Sequence, residues 1–310
     1  MTLHQLRYFV AVVTNKNFTR AAEKCLVAQP SLSQQIIQLE RELGHKLLER
    51  LGRTVRPTEA GKMFHERAVA ILASVDEAKR RVVEVGDPER GTLRVGAIPT
   101  VAPYLLPPLI TRFLRDFPRA AFEVTEDLTE HTVRGCLDGS LDFGLVALPI
   151  GDPRLLVEPI LREELLLVTP SGHRFRRKRK VCILDLIGEP FILLSEAHCL
   201  GEQIVDFCAQ QSCQPLITCQ SAQLLTVQEL VAAGQGISLI PAMACAKDKS
   251  PERHCRSLAD SKPSRTLAVI RHKDRYQSPL AARFVEALKY YARACPCPGV
   301  TDMAETTSVH

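Results

Sequence analysis

Gln29-Pro30-Ser31-Leu32-Ser33-Gln34-Gln35-Ile36, continued by Leu39-Glu40 and Leu43-Gly44, is the stretch whose reading decides the fold of this 310-residue chain. Leu32, Ile36, Leu39 and Leu43 recur at steps of three and four, which places them on one face of a helix. Pro30 and Ser31 suit its first turn and Gly44 its stop. Ser33, Gln34, Gln35 and Gln38 lie off that apolar stripe and point outward. A glutamine amide can make two hydrogen bonds to adenine in the major groove, so this outer face fits a helix that reads duplex DNA. Gln34 has a second reading, as the partner of Ser31 in a Ser31-x-x-Gln34 capping box.

The flanks agree with a helix-turn-helix. Upstream, Leu3, Leu6, Val10 and Val13 make the apolar face of a first helix that ends between Asn15 and Asn17. Thr19 reads as the cap of a short second helix, whose small Ala21 and Ala22 let the third helix cross closely. Downstream, Leu47-Leu48-Glu49-Arg50-Leu51-Gly52-Arg53-Thr54-Val55-Arg56-Pro57-Thr58 reads as a short hairpin, a wing bearing three arginines. Such arginines hold phosphates or enter the minor groove; the alternative is solvated charge. Residues 1–60 hold nine Lys or Arg against five acids, so most of the chain's net charge of +5 sits here.

The strings Leu6-Arg7-Tyr8-Phe9, Phe18-Thr19-Arg20-Ala21-Ala22-Glu23, Gln29 through Ile36, Leu47-Leu48-Glu49-Arg50 and Thr58-Glu59-Ala60-Gly61, all in order, resemble the winged helix-turn-helix of LysR-type transcriptional regulators. The resemblance implies an α/β chain with an N-terminal all-α winged helix-turn-helix at 1–60 and a two-lobed, periplasmic-binding-protein-like effector domain. It implies DNA contacts from Gln29, Pro30, Ser31, Ser33, Gln34, Gln35, Gln38, Arg50 and Arg53, with double-stranded promoter DNA and RNA polymerase as partners.

Beyond Gly61, Phe64, Ala68, Ile71, Val75, Ala78, Val82 and Val85 alternate steps of four and three before Gly86 and Pro88 end the helix. One helix cannot bury such a seam alone, and pairing with a second chain is the favoured reading over packing on its own domain. The stretch 61–86 thus looks like the family's dimerising linker helix, in a homodimer or homotetramer. After 87–91, strands and helices alternate: Leu93 to Ala97, a helix near Tyr104 to Phe117, Phe122 to Glu126, a helix near Thr132 to Leu137, and Leu141 to Leu148. A second set runs from Leu165 to Ile240, the chain returns through Thr266 to Ile270, and a helix closes it from about Pro279 to Ala294. This predicts one lobe from 91–164 plus 266–294, a second from 165–265, and a flexible tail at 295–310. A ligand then belongs between the lobes, near the C-terminal ends of strands.

Within the second lobe, Ser195-Glu196-Ala197-His198-Cys199-Leu200-Gly201-Glu202-Gln203-Ile204-Val205-Asp206-Phe207-Cys208 is similar to the segment that defines OxyR-type peroxide sensors. Ile98 through Pro107, Val231 through Ile237 and Leu239 through Ala242 extend that likeness. The resemblance implies oxidation of Cys199 by hydrogen peroxide and resolution by Cys208. It further implies a peroxide pocket of Thr100, Thr129 and His198, with Arg265 as a cationic partner. The chemistry is coherent: a thiolate attacks peroxide oxygen to give a sulfenic acid, and a nearby thiol condenses with it. Each residue also has a plain structural reading, the threonines as caps and the thiol as a small buried hydrophobe. Gly201 to Gln211 reads as a helix with Ile204, Val205, Phe207 and Cys208 inward. Nine positions along a helix rise about 13 Å, whereas a disulfide needs Cα atoms about 4.4 to 6.8 Å apart. Joining Cys199 to Cys208 therefore requires this helix to unwind. Cys182, Cys213, Cys219, Cys245 and Cys255 are alternative partners.

Eleven cysteines without CxxC pairs argue against a secreted disulfide framework and for a reduced, cytoplasmic setting. No apolar run approaches the length of a membrane span, and no cofactor, metal or membrane partner is predicted. The basic run Arg174 to Lys180 reads as a solvated loop after a strand. Two rival functions remain open. One is a LysR-type regulator answering to a small metabolite in the cleft. The other is a thiol peroxidase using His198 and Cys199, which the opposite orientation of adjacent residues on an extended segment disfavours.

Overall fold

The computed structural model describes residues 1–51, 54–195, 198–293 and 299–302. The chain divides at Asp87 and Pro88 into two compact units.

The first unit is built from α1 (Leu3–Asn15), α2 (Phe18–Lys24), α3 (Gln29–Leu43), a hairpin of β1 (Leu48–Leu51) and β2 (Thr54–Pro57), and α4 (Glu59–Gly86). Its core joins Leu6, Phe9 and Val12 of α1 to Ala21 and Ala22 of α2 and to Leu32, Ile36 and Leu39 of α3. Each large side chain so buried stabilises the unit by about 1.5–3 kcal/mol. The inner face of α1 differs from the expected one. Phe9 and Val12 are fully buried, Val10 and Val13 only flank the core, and Leu3 stays 42% exposed. Thr19 lies inside α2; the cap is Asn17, whose side chain accepts from Arg20 N at 3.0 Å. The stop of α3 at Gly44 holds, with a left-handed φ of 70°.

Glu40 is the buried joint between α3 and the hairpin. Its carboxylate accepts from Leu47 N at 2.9 Å and Leu48 N at 3.2 Å and pairs with Lys46 Nζ at 2.8 Å. The start of α4 packs directly over the same place. Thr58 Oγ1 donates to Lys46 O and accepts from Gly61 N, and a Cβ on Gly61 would lie 2.0 Å from Leu47 O. Only glycine permits that approach. Further on, Phe64 packs edge-on against Phe9 at 5.3 Å and Ala68 is fully buried, while Ile71 is 39% and Val82 76% exposed. The predicted seam is therefore shared: its first part closes on the unit's own core, and the later part faces outward. The side chain of Val85 lies outside the described residues.

The second unit runs β3 (Gly91–Ala97), α5 (Ala102–Asp116), β4 (Ala120–Glu126), α6 (Thr129–Asp138), β5 (Phe143–Ala147), β6 (Leu155–Pro170), β7 (Pro190–Leu194), α7 (Cys199–Gln210), β8 (Leu216–Ser221), α8 (Leu224–Ala232), β9 (Ser238–Pro241), α9 (Ala242–Lys247), β10 (Arg253–Arg256), β11 (Ser264–His272), α10 (Pro279–Arg293) and β12 (Val300–Asp302). β3 pairs in parallel with β4 and β5, as helix-connected strands should. The sheet is mixed, however, because β11 returns antiparallel between β5 and β6. The 16-residue β6 joins two cores. Leu155 to Glu164 pair with β11 beside a core that includes Val95, Leu145 and Phe284, and Leu165 to Pro170 pair with β9 and β10 beside one that includes Phe191, Ile204 and Ile240. β7 and β8 form a parallel pair in the second lobe. The basic run forms a turn at Arg174–Arg177 whose Phe175 is buried while its cations face solvent, Arg174 pairing with Glu189 and Lys178 with Asp185. No described helix is long and apolar enough to cross a membrane.

Candidate functional site

On the first unit, α3 begins at Gln29 with Ala28 as its cap, so Ser31 is an interior residue of the first turn. The Ser31–Gln34 capping box is thereby excluded, and Gln34 is left exposed. Pro30, Ser31, Gln34 and Gln38 are exposed, and Gln29, Ser33 and Gln35 half-buried, along the side away from Leu32, Ile36 and Leu39. The hairpin follows with Glu49 opposite Arg56, and Arg56 is exposed. Arg53 and the side chain of Arg50 lie outside the described residues. This face can offer amides, hydroxyls and a guanidinium to a groove and its phosphates, on a helix held in place by Glu40.

On the second unit, α7 starts at Cys199 rather than Gly201, with His198 as its extended cap residue. Both thiols of interest therefore sit on one helix, Cys199 half-buried in its first turn and Cys208 fully buried near its end. The inward face is Leu200, Gly201, Ile204 and Cys208, a four-residue rhythm; Val205 is 38% exposed and Phe207 only flanks the core. Cys199 packs toward the first lobe's core, the cluster that holds Ile98 and Val101 on either side of Thr100. Gln203, one turn on, fastens the helix to that lobe, donating from Nε2 to Leu148 O at 2.9 Å. A Cβ on Gly201 would stand 2.5 Å from Leu194 O, so the helix start lies tight against the end of β7.

Thr100 is 2% exposed and its hydroxyl accepts from Arg265 Nη1 at 2.7 Å. Arg265 also donates to Thr100 O at 3.0 Å and pairs with Glu163 at 2.8 Å, both charged side chains being fully buried. Glu163 in turn accepts from Met243 N at the start of α9, at 2.8 Å. The guanidinium is neutralised by Glu163 and orients Thr100, and because Thr100 Oγ1 accepts from it, the hydroxyl proton is free to be donated elsewhere. Thr129, at the start of α6, has a buried Oγ1 with no partner among the described residues, and so does Gln203 at Oε1. Buried hydroxyls and amides are normally satisfied, so each of these two atoms keeps an unused capacity for a hydrogen bond.

Glu163, Gly201 and Gln203 were not singled out from the sequence. Two acids inside the apolar stretch Leu161 to Val168 were the available signal for the first, and the i, i+4 placement of Gln203 after Cys199 for the last.

Four of the thiols fall into two neighbouring pairs, Cys208 with Cys213 and Cys245 with Cys255. Burial pushes the Cys208 thiol up to about 12, helped by contact with Cys213, and contact with Cys255 together with burial raises Cys245. Among the described residues no group of His, Cys, Asp and Glu could hold a metal ion.

Residues 3–62 match the bacterial regulatory helix-turn-helix protein of the lysR family, and residues 86–293 the LysR substrate binding domain. The chain is 34% identical over 285 residues to a hydrogen peroxide-inducible genes activator of Pectobacterium carotovorum subsp. carotovorum, covering 92% of this chain and 93% of that one. Among solved structures it is similar to full-length OxyR from Pseudomonas aeruginosa, with a TM-score of 0.73, 30% identity, and 97% and 98% of the two chains covered. Full-length CbnR in complex with its target DNA matches with a TM-score of 0.72 and 26% identity, over 94% and 100% of the chains. The helix-turn-helix model falls on the unit that carries the glutamine-faced helix and the substrate-binding model on the α/β unit that follows, and the chain belongs to the LysR family of DNA-binding transcriptional regulators.

Proposed function

We propose that this regulator responds to hydrogen peroxide, with Cys199 as the thiol that is oxidised and Cys208 as the thiol that resolves it. The observation that carries the reading is the start of α7. Cys199 occupies the first helical position, where peptide dipoles favour an anion. It packs on the lobe that holds Thr100, whose proton is free to be donated, and Thr129, whose hydroxyl has no partner among the described residues. In this reading Thr100 and Thr129 hold the peroxide and steady the departing oxygen, His198 flanks the thiolate, and Arg265 positions Thr100. The similarity to a hydrogen peroxide-inducible genes activator and to OxyR supports it.

Signalling follows from helix geometry. With both cysteines on α7, a Cys199–Cys208 bond closes only after the helix unwinds, because nine positions span about 13 Å. Unwinding releases Leu200 and Ile204 from the second lobe's core and changes the surface that the lobe presents to another copy. The exposed part of α4, with Ile71 and Val82, joins two chains into a dimer, and effector units associate into a tetramer whose geometry respaces the DNA-binding heads. DNA is contacted by Gln29, Pro30, Ser31, Ser33, Gln34, Gln35 and Gln38 with Arg50 and Arg53 of the wing, in the cytoplasm, and RNA polymerase is the downstream partner.

The test is a promoter-fragment binding assay with reduced protein, repeated across salt concentrations and then after stoichiometric peroxide. The expected result is salt-sensitive binding whose footprint changes on oxidation and reverts with dithiothreitol, and loss of the change in Cys199→Ser. Binding that is indifferent to peroxide with Cys199 still reduced would sink the trigger.

A further inference from the structure

The C-terminal end of α7 closes in a way that brings two thiols together. Gln211 ends the helix, Ser212 takes a left-handed φ of 53°, and the Cys213 amide donates back to the Cys208 carbonyl at 2.9 Å. This six-to-one closure, the Schellman motif, sets the side chains of its two bonded residues against each other, usually as an apolar contact. Here those residues are Cys208 and Cys213, exposed by 0% and 1% and both packed in the second lobe's core. Cys213 Sγ also donates to Ile183 O at 3.5 Å, which fixes its direction.

The two possible bonds of Cys208 therefore differ in what they demand. A bond to Cys199 requires α7 to be unwound, because the intact helix separates the pair by about 13 Å. A bond to Cys213 requires only that two buried thiols, held next to each other by the 2.9 Å backbone closure, approach with the helix intact.

We infer that Cys213 completes a three-thiol relay, and that the disulfide between Cys208 and Cys213 is its final oxidised product. The inference rests on the reading of Cys199 as the thiol oxidised by peroxide. The Cys199 thiolate attacks one peroxide oxygen; the O–O bond breaks, Cys199 becomes a sulfenic acid, and the departing hydroxide takes a proton and leaves as water. Cys208 sulfur attacks Cys199 sulfur, forming the Cys199–Cys208 bond and expelling a second water that carries the Cys208 proton. Cys213 sulfur then attacks Cys208 sulfur; the new bond forms as the Cys199–Cys208 bond breaks, and the Cys213 proton passes to the released Cys199 thiolate. In total one peroxide is reduced to two waters and two thiols are oxidised to one disulfide. The last step is driven by refolding, because only its product lets Leu200, Ile204 and Cys208 return together to the core they occupy on the intact helix. The product has the α7 of the reduced fold but lacks a resolving thiol. It is a refractory state that ends the signal and still carries the mark of oxidant.

The experiment uses the full chain. Reduced protein receives one equivalent of hydrogen peroxide, is quenched at intervals with N-ethylmaleimide, and is cleaved after Glu196, Glu202 and Glu229 for mass spectrometry. Cys199 then lies on peptide 197–202, and Cys208, Cys213 and Cys219 on peptide 203–229. The expected course is an early cross-link of the two peptides that falls about tenfold. In its place comes a 203–229 peptide lighter by two hydrogens and alkylated only at Cys219, with Cys199 alkylated. In Cys213→Ala the cross-link persists; the wild-type time course reads the relay even if that variant folds poorly. A lasting Cys199–Cys208 cross-link in the wild type, with Cys213 alkylated, overturns the relay and leaves the peroxide reading standing. The lighter peptide forming equally fast in Cys199→Ser also overturns the relay. Cys199 alkylated throughout with 203–229 unchanged overturns both.

Discussion

Arg265 Nη1 donates to Thr100 Oγ1 at 2.7 Å while the same guanidinium is paired with Glu163, and both members of that ion pair are wholly buried. A buried pair of this kind contributes less by its attraction than it would cost to break, because the survivor is a charge without solvent. Arg265→Met should therefore destabilise the second unit by about 3 to 5 kcal/mol, read as a shift in urea unfolding. The double variant Arg265→Met with Glu163→Leu should recover most of that loss. If the single variant unfolds at the wild-type midpoint, the burial of this pair has been misjudged.

Thr100 and Thr129 should part company when each is replaced by valine. Thr100→Val leaves the Arg265 donor unpaired and should cost about 1–3 kcal/mol of stability. Thr129→Val removes a buried hydroxyl without a partner among the described residues, so stability should hold or rise by about 1 kcal/mol. Both should slow oxidation of Cys199 by peroxide about tenfold or more, since each loses a donor for the departing oxygen. Rates from quenched alkylation, set beside unfolding curves, test the pair. A Thr129→Val protein that reacts at the wild-type rate removes Thr129 from the pocket.

Glu40 ties the DNA-facing helix to the wing through two backbone amides and Lys46. Glu40→Ala orphans the Leu47 and Leu48 amides and should lower stability by about 2 kcal/mol. Glu40→Gln keeps an acceptor for them and should lose about half as much. Because the wing is then free to shift against α3, promoter affinity should fall more than non-specific binding does. Equal losses in the two would show that Glu40 acts on folding alone.

What could be read from the sequence was whatever depends on neighbours along the chain. The α3 stripe, the Gly44 stop, the hairpin and the alternation of strands and helices all follow from spacing and turn chemistry within a few residues. The inner face of α1 did not, because Leu3, Leu6, Val10 and Val13 fit the helical period as well as Leu6, Phe9 and Val12 do. Packing against Phe64 in α4 decides between them. The cap of α2 was misplaced for a similar reason, since Asn17 and Thr19 are both competent acceptors. Glu163 escaped notice because its partner lies 102 residues away and a carboxylate in a strand is ordinarily solvated. The contact between Cys208 and Cys213 depends on Ser212 adopting a left-handed φ, which a serine seldom takes.

The outward part of α4 makes a separate prediction about assembly. Val82 is 76% exposed on a 28-residue helix whose first turns are already committed to the unit's own core. Val82→Lys should leave each unit folded and weaken chain pairing by at least about tenfold in dissociation constant, measured by sedimentation equilibrium. Val82→Leu should keep the wild-type value. A lysine variant that associates unchanged would place the interface elsewhere.

The buried thiol of Cys208 also makes stability depend on alkaline pH. A thiol in the unfolded chain ionises near 9, whereas burial and then the contact with Cys213 raise Cys208 to about 12 in the fold. Below 9 both states carry the proton and the thiol contributes its full share. Between about 9 and 12 the unfolded chain releases a proton that the folded chain keeps, so stability falls as pH rises through that window. Denaturant midpoints measured in excess reductant from pH 8 to 10.5 should decline in the wild type and decline less steeply in Cys208→Ala. The comparison reads Cys208 together with its neighbour Cys213, whose own burial-raised ionisation is lowered by Cys208, whereas Cys245 and Tyr104, also raised by their surroundings, titrate in both proteins. Parallel slopes would mean that Cys208 meets water in the folded state, and the core of α7 would then be looser than its packing indicates.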